Sequence, residues 1–278
     1  MNLRALRHSL FANPLSIVGL GLLASMIAMA IAAPLLTPYA LEESFGPMLR
    51  PSSEHILGTN DLGYDLWTEL LHGARTSLTL SLSAATLACG LGLLVGGLAN
   101  ASPAAGTVLM RLVDVMLAVP RFPLIILMAA FIRPDPSSLA LFFVIFGWPT
   151  VARIIAATIR TESQADHVLA ARALGASRGR ILIRHLLPSA IPVTLTRWVA
   201  EVQHIIMAEA GLSFLGLGDP TLRTWGMTLS HARGYAALWI SDVWTWWVLP
   251  PGIAIAAVCL SLVMIGLGLD QIVNPEMA

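Results

Sequence analysis

The sequence has no lysine, and all 16 of its basic residues are arginine. A phosphate-binding P-loop requires its lysine, so the chain holds no Walker A motif, and any ATP hydrolysis that drives it sits on another polypeptide. Charge is scarce as well. Only 12% of the 278 residues are charged, acids and bases balance, and 56% are hydrophobic, with a mean hydropathy of +0.77. That leaves too little polar surface for a water-soluble globule of this size, and the bilayer is the expected solvent. Cysteine is nearly absent: Cys89 and Cys259 lie within apolar runs, where a thiol acts as a small hydrophobe, so no disulfide is expected. Metal-ligand patterns such as H-E-x-x-H and C-x-x-C are missing, which counts against an intramembrane metalloenzyme. The first apolar run also lacks a small-residue cleavage site, so it reads as a retained transmembrane helix and not a signal peptide.

What is present is six apolar runs. The first, Leu15 to Leu36, follows Arg4 and Arg7 and is long enough to cross about 30 Å of hydrocarbon. The arginines place residues 1–14 in the cytoplasm. Residues 37–76 hold Glu42, Glu43, Glu54, Asp61, Asp65 and Glu69 against Arg50 and Arg75, and read as an external loop containing a short helix. In that loop Gly58 and Gly63 bracket Asn60 and Asp61, turn chemistry ahead of an amphipathic helix start; the alternative is a capped surface turn. Residues 77–278 form the remaining unit. The run at 77–99 carries Ser81, Ser83, Gly90, Gly92, Gly96 and Gly97, small residues that let helices approach closely in lipid and so predict a buried helix. After a hinge at 100–106, the run at 107–132 contains Arg111, Asp114, Pro120 and Pro123. Asp114 at that depth is a candidate pathway residue, with an ion pair to Arg111 as the plainer reading.

A tight turn at Pro134-Asp135-Pro136 leads to the run at 139–159, where Gly147, Trp148 and Pro149 predict a break or kink. The run at 190–212 sets Arg197, Glu201 and His204 on one helical face, with Glu209 about a third of a turn away. Such a stripe must face protein or water, so these four join Asp114 as candidate pathway residues. The plainer readings are an Arg197–Glu201 pair and a hydrogen-bonded interhelical histidine. Residues 211–226 are punctuated by glycine and predict a re-entrant or surface segment; Trp239 to Trp247 reads as an interfacial belt; the last run covers 248–269. The expected fold is an all-α membrane protein with six transmembrane helices and both termini cytoplasmic. The cytoplasmic segments so assigned hold seven arginines in 57 residues, and the external ones five in 76. No internal repeat and no matched pair of broken helices of the secondary-transporter kind is visible.

One segment stands apart. Residues 161–188 are polar and arginine-rich in an otherwise oily chain, and they follow the fourth run on the cytoplasmic side. Glu162 to Arg172 predicts a short surface helix, Gly175 its left-handed terminator, and Ser177 the cap of a second helix reaching Arg184. Alanines 170, 171, 173 and 176 offer a narrow face that fits a groove in a partner.

The spacing of Ala170, Ala171, Gly175, Leu187 and Pro188 resembles the EAA loop of ABC importer permeases, with Leu169 where the name-giving glutamate would stand and His185 where isoleucine is common. R-A-L-G-A-S and R-H-L-L-P are similar to the dipeptide, oligopeptide and nickel subfamily. G-T-N-D-L-G-Y-D, with Gly58, Thr59, Asp61, Gly63 and Asp65, is similar to that subfamily's G-T-D-x-x-G-R-D, departing at Asn60 and Tyr64. L-S-F-L-G-L-G followed by Trp225-Gly226, with Ser213, Gly216 and Gly218, matches a third signature. Ile265 to Asp270 departs from the subfamily's usual tail. The resemblance implies a type I importer permease of the second, "C" kind, in a bacterial inner membrane. It also implies partners: a second, homologous permease forming a heterodimer, two ATPase subunits that hold ATP and magnesium, and an extracytoplasmic solute-binding protein. Lipid would surround it, and no nucleic acid and no cofactor on this chain is expected. Ala170, Ala171, Arg172, Gly175, Arg184, His185, Leu187 and Pro188 would form the ATPase-coupling surface. Short peptides and nickel, free or chelated, remain open as cargo, His204 and the short N-terminal tail leaning to the metal. A self-powered secondary transporter or channel for a small polar solute is the competing class, and a membrane enzyme lacks any nucleophile and base constellation.

Overall fold

The computed structural model describes residues 13–132 and 135–273. Residues 1–12 with Arg4 and Arg7, Pro134 of the expected turn, and residues 274–278 lie outside them. The described residues contain helices α1 (Pro14–Leu36), α2 (Leu66–Leu98), α3 (Pro103–Leu117), α4 (Arg121–Ile132), α5 (Pro136–Glu162), α6 (Asp166–Ala173), α7 (Arg178–Ile181), α8 (Leu187–Phe214), α9 (Trp225–Gly234), α10 (Trp244–Trp247) and α11 (Leu249–Val273), with a π-helical turn, Leu182–Leu186, joining α7 to α8. They contain no β-strand, only the isolated antiparallel bridges Ser44–Tyr64 and Thr59–Asp65.

Among the described residues, four helices are long and apolar enough to cross a membrane, and five spans result if the bent pair α3 and α4 counts as one. The caps follow the sequence. Asn13, Asp65, Ser102, Asp135 and Thr224 each accept a backbone N–H of the turn they open, worth about 1 kcal/mol apiece. Large apolar side chains on the outer faces, among them Ile31 and Leu35 of α1 and Ile253 and Val263 of α11, are exposed, the arrangement expected of a bundle solvated by hydrocarbon.

The core draws on every long helix: Leu23 and Met26 (α1), Leu78 and Ala84 (α2), Ile125 (α4), Phe142 and Phe143 (α5), Ile205 and Leu212 (α8), and Val258 and Leu262 (α11). Of the small residues of α2, Ser81, Gly92, Gly96 and Gly97 are buried as predicted, while Ser83 and Gly90 are exposed. A Cβ on Gly92 would lie 2.6 Å from Val151 Cβ, and one on Gly96 2.8 Å from the Ala152 carbonyl oxygen, so α2 and α5 touch backbone to backbone. Gly19 serves α1 against α11 in the same way, 2.7 Å from the Ser261 carbonyl oxygen.

Five sequence expectations change. Residues 66–76 are not a separate short helix; they open the 33-residue α2, whose cap, Asp65, ends the loop. The hinge is shorter than 100–106, because Ser102 caps α3 and Pro103 begins it. The run at 107–132 is two helices bent by 72° around Ala118 to Pro120, since Pro120 cannot donate to a preceding turn. Conversely, α5 continues through Pro149 without a break. The Trp239 to Trp247 patch is also divided, with Trp239 exposed while Trp246 and Trp247 pack with Leu66 and Ala232 beneath the outer loop.

Candidate transport pathway and its two ends

Inside the bundle, the bend between α3 and α4 delivers Arg121 to the middle of α8. Its guanidinium donates to both carboxylate oxygens of Glu201, Nη2 to Oε1 at 2.5 Å and Nη1 to Oε2 at 3.1 Å, and to the Phe143 carbonyl at 3.4 Å. The side chains are 19% and 9% exposed. Gly147 makes the room: a Cβ there would lie 2.6 Å from Glu201 Oε1 and 3.1 Å from Arg121 Nη2. Arg121 Nε finds no partner among the described residues. A bidentate pair desolvated to this degree is held by geometry, because each charge alone would be costly in the bundle. Sequence reasoning overlooked Arg121, and its position directly after Pro120 was the available signal.

This pairing corrects two expectations. Glu201 bonds Arg121 and not Arg197, which is exposed four residues away; His204 is likewise exposed. Asp114 pairs with Arg153 of α5 instead of Arg111, on an exposed face. Glu209 is buried further along α8, where it accepts hydrogen bonds from Ser213 Oγ at 2.8 Å and Thr224 Oγ1 at 2.7 Å. The five candidate pathway residues therefore do not form one cluster. No group of three or more His, Cys, Asp or Glu able to hold a metal occurs among the described residues.

At one end of the bundle the two outer motifs meet. Gly58 (φ +73°) and Gly63 (φ +84°) allow the loop to fold back on itself: a Cβ at Gly63 would lie 2.3 Å from the Phe45 carbonyl oxygen. Thr59 Oγ1 donates to Gly46 O and accepts from Leu49 N, and Asn60 Oδ1 accepts from Leu62 N and Tyr64 N. Asp65 accepts from Thr68 and pairs with His55 at 2.9 Å, while Asp61 is exposed. From the far side of the sequence, Arg223 reaches Glu69 at 3.4 Å and stacks over the Tyr64 ring at 5.0 Å. Trp225 is buried with its indole N–H donating to Leu70 O. Gly218 and Gly226 are forced small, since Cβ atoms there would lie 2.4 Å from Ser213 Oγ and 2.7 Å from Ala210 Cα. Gly216 adopts φ +78° as α8 ends.

At the opposite end, residues 161–188 form a hinged hairpin. Glu162 is the last residue of α5, so the surface helix is shorter than expected and starts at Asp166. Gly175 takes φ +83° and Ser177 caps α7 through the Arg180 N–H, both as predicted. The second helix does not stop at Arg184; it passes through the π turn, with Arg184 and His185, directly into α8 at Leu187 and Pro188. Val168, Ile181 and Leu186 are buried against Ile155 and Ile159 of α5. Ala170, Arg172 and Ala173 face outward, Ala171 is half-buried, and Leu174 is 89% exposed.

Comparison with known proteins bears on the same regions. Residues 88–278 match the family described as binding-protein-dependent transport system inner membrane component, and residues 3–65 match the N-terminal TM domain of oligopeptide transport permease C. This chain belongs to the binding-protein-dependent transport permeases. A putative peptide transport system permease protein of Brucella abortus is 36% identical over 280 residues, covering 99% of this chain and 90% of that protein. The dipeptide transport system permease DppC of Alkalihalophilus pseudofirmus is 34% identical over 269 residues, 95% of this chain and 87% of its own length. Among solved structures, the inward-facing MetNI methionine ABC transporter aligns with a TM-score of 0.55 at 20% identity, over 74% of this chain and 95% of that one, a likeness of fold. The permease is thus an inner-membrane subunit of an ABC importer, and its family is one of transporters, not enzymes. The two matched regions cover both outer motifs and the 161–188 hairpin.

Proposed function

We propose that this permease pairs with a second, homologous permease to form the pathway of an importer for short peptides. A solute-binding protein delivers the cargo outside, and two ATPase subunits holding ATP and magnesium dock on residues 161–188. In this reading the bundle has six spans, the sixth being α8, whose 28 residues reach roughly 42 Å and whose Glu201 and Glu209 are buried in protein. Both termini then lie in the cytoplasm with the hairpin. Peptide cargo is favoured over nickel by the peptide and dipeptide names of the relatives.

The observation that carries the docking assignment is the hairpin itself. Its buried residues anchor to α5 and α8, while Ala170, Ala173 and Leu174 are left facing outward on a helix too short to be stable alone. Motion imposed on α6 therefore passes to both long helices. The test is the pair Gly175→Asn and Gly175→Val in the assembled transporter. Open space surrounds this position, so asparagine, which tolerates φ near +83°, keeps ATPase association and peptide uptake, whereas β-branched valine loses both. Equal uptake and ATPase association in the two variants would reject the docking assignment.

A further inference from the structure

On the same side as the hairpin, a cavity of about 930 Å³ opens between the α2–α3 turn, α3 and the α6–α7 region. Four arginines line it, Arg111, Arg160, Arg172 and Arg178, and among the described residues none of their guanidinium groups has an ion pair or a side-chain hydrogen bond. The one acid in the lining, Asp114, is already neutralised by Arg153. The N-terminal end of α3, capped by Ser102, adds its positive dipole end to the same wall. Four exposed arginines thus share one space whose single acid is already paired, and an anion entering it meets several like-signed partners.

The wall continues into an apolar stripe. Thr107, Met110, Arg111 and Asp114 lie on the cavity face of α3, and Val108, Leu112 and Val115 form the adjacent face at i, i+4 and i+7. Those three are 68%, 49% and 68% exposed. A compact basic pocket bordered by an exposed aliphatic stripe has the two-part character of a phospholipid: guanidinium forks for the phosphate, and a hydrocarbon track for the acyl chains. A soluble acidic protein surface would leave the stripe bare.

We infer that this cavity is a binding site for the phosphate headgroup of an anionic phospholipid from the arginine-rich leaflet, with its chains along Val108, Leu112 and Val115. The bound lipid ties α3 and α5 to the hairpin, so the site would couple the lipid composition of the leaflet to the position of α6. It does not depend on which solute is transported.

The test uses the full chain in neutral detergent, titrated with dioleoylphosphatidylglycerol or dioleoylphosphatidylcholine and read by native mass spectrometry. Phosphatidylglycerol is expected to bind at least about tenfold more tightly, and Arg111→Gln and Arg160→Gln each to weaken it about fivefold, the equivalent of about 1 kcal/mol per arginine. Arg75→Gln, at the opposite end of the bundle, leaves it unchanged, and the Arg111→Lys/Arg160→Lys variant keeps most of the preference because the charge remains. If the glutamine variants do not purify, Arg178→Gln at an exposed position provides the same reading. Undiminished phosphatidylglycerol binding in the glutamine variants would overturn the site. Displacement of the lipid by millimolar inorganic phosphate would overturn the lipid as its source, assigning the cavity to free phosphate.

Discussion

Removing one member of the Arg121–Glu201 pair should cost far more than removing both. Glu201→Ala leaves a guanidinium in the bundle with one long contact to the Phe143 carbonyl and an Nε already unpartnered. Arg121→Ala leaves a carboxylate whose side chain is 9% exposed. Each single change is expected to destabilise the permease by about 3–5 kcal/mol, the range for stranding a buried charge. In Arg121→Met/Glu201→Leu both charges leave together, apolar side chains of similar size fill the space, and stability returns to within about 1 kcal/mol of the parent or above it. The cycle would be read by denaturant unfolding in mixed micelles, followed by tryptophan fluorescence. Gly147→Ala provides an internal check, because its Cβ would press on Glu201 Oε1 at 2.6 Å without altering either charge. It should reproduce part of the single-variant loss. Uptake by proteoliposomes of the assembled transporter carrying the stable double variant then separates scaffold from pathway: lost uptake with retained stability assigns the pair to transport. Single variants that each cost under about 1 kcal/mol, and that add in the double variant, would refute the bidentate buried pair.

Gly96→Ala should destabilise by about 1–3 kcal/mol, because its Cβ would meet the Ala152 carbonyl at 2.8 Å and Ile155 Cβ at 2.9 Å. Gly90→Ala on the same helix, with nothing within 4 Å, should gain several tenths of a kcal/mol from helix propensity; equal effects at the two sites would contradict the α2–α5 packing. His231, on the short outer helix α9, has its pKa held below the ordinary 6.5 by burial and by the neighbouring Arg223, against a smaller opposing effect of Asp61. The imidazole is therefore neutral when α9 is docked and takes its proton more readily when α9 is released. Stability from this group is present above pH 6.5 and is lost as the pH falls below it. Thermal melts of the parent and of His231→Gln between pH 8 and pH 5 should show a shallower acid-side decline in the variant, and parallel curves would reject the assignment.

The apolar runs, the cap Ser177 and the left-handed Gly175 were legible in the sequence because they rest on local physics. A run of about 20 apolar residues, a side chain bonding its own next turn, and a glycine at positive φ each need no distant partner. The small-residue face of α2 was legible too, since close helix approach in lipid selects for glycine whatever the neighbour is. Pairings read from the nearest compatible charge failed. Arg111 for Asp114 and Arg197 for Glu201 sit at helical spacing, yet the partners are Arg153 and Arg121, 39 and 80 residues away. Intrahelical spacing permits a pair but cannot weigh it against a bidentate donor brought in by another helix.

By itself, the sequence determined that this protein lives in a bilayer, that it has no lysine with which to build a Walker A loop, and where its polar, arginine-rich hairpin lies, because these follow from composition and from neighbours within a few residues. Only the tertiary structure decided that a bend after Ala118 carries Arg121 to Glu201, that Arg223 joins two motifs about 150 residues apart through Glu69, and that four arginines, unpaired among the described residues, line one cavity. Those contacts depend on how tilted and broken helices cross. That crossing is set by the sum of many small packing terms across the bundle, and no single segment of the chain contains it.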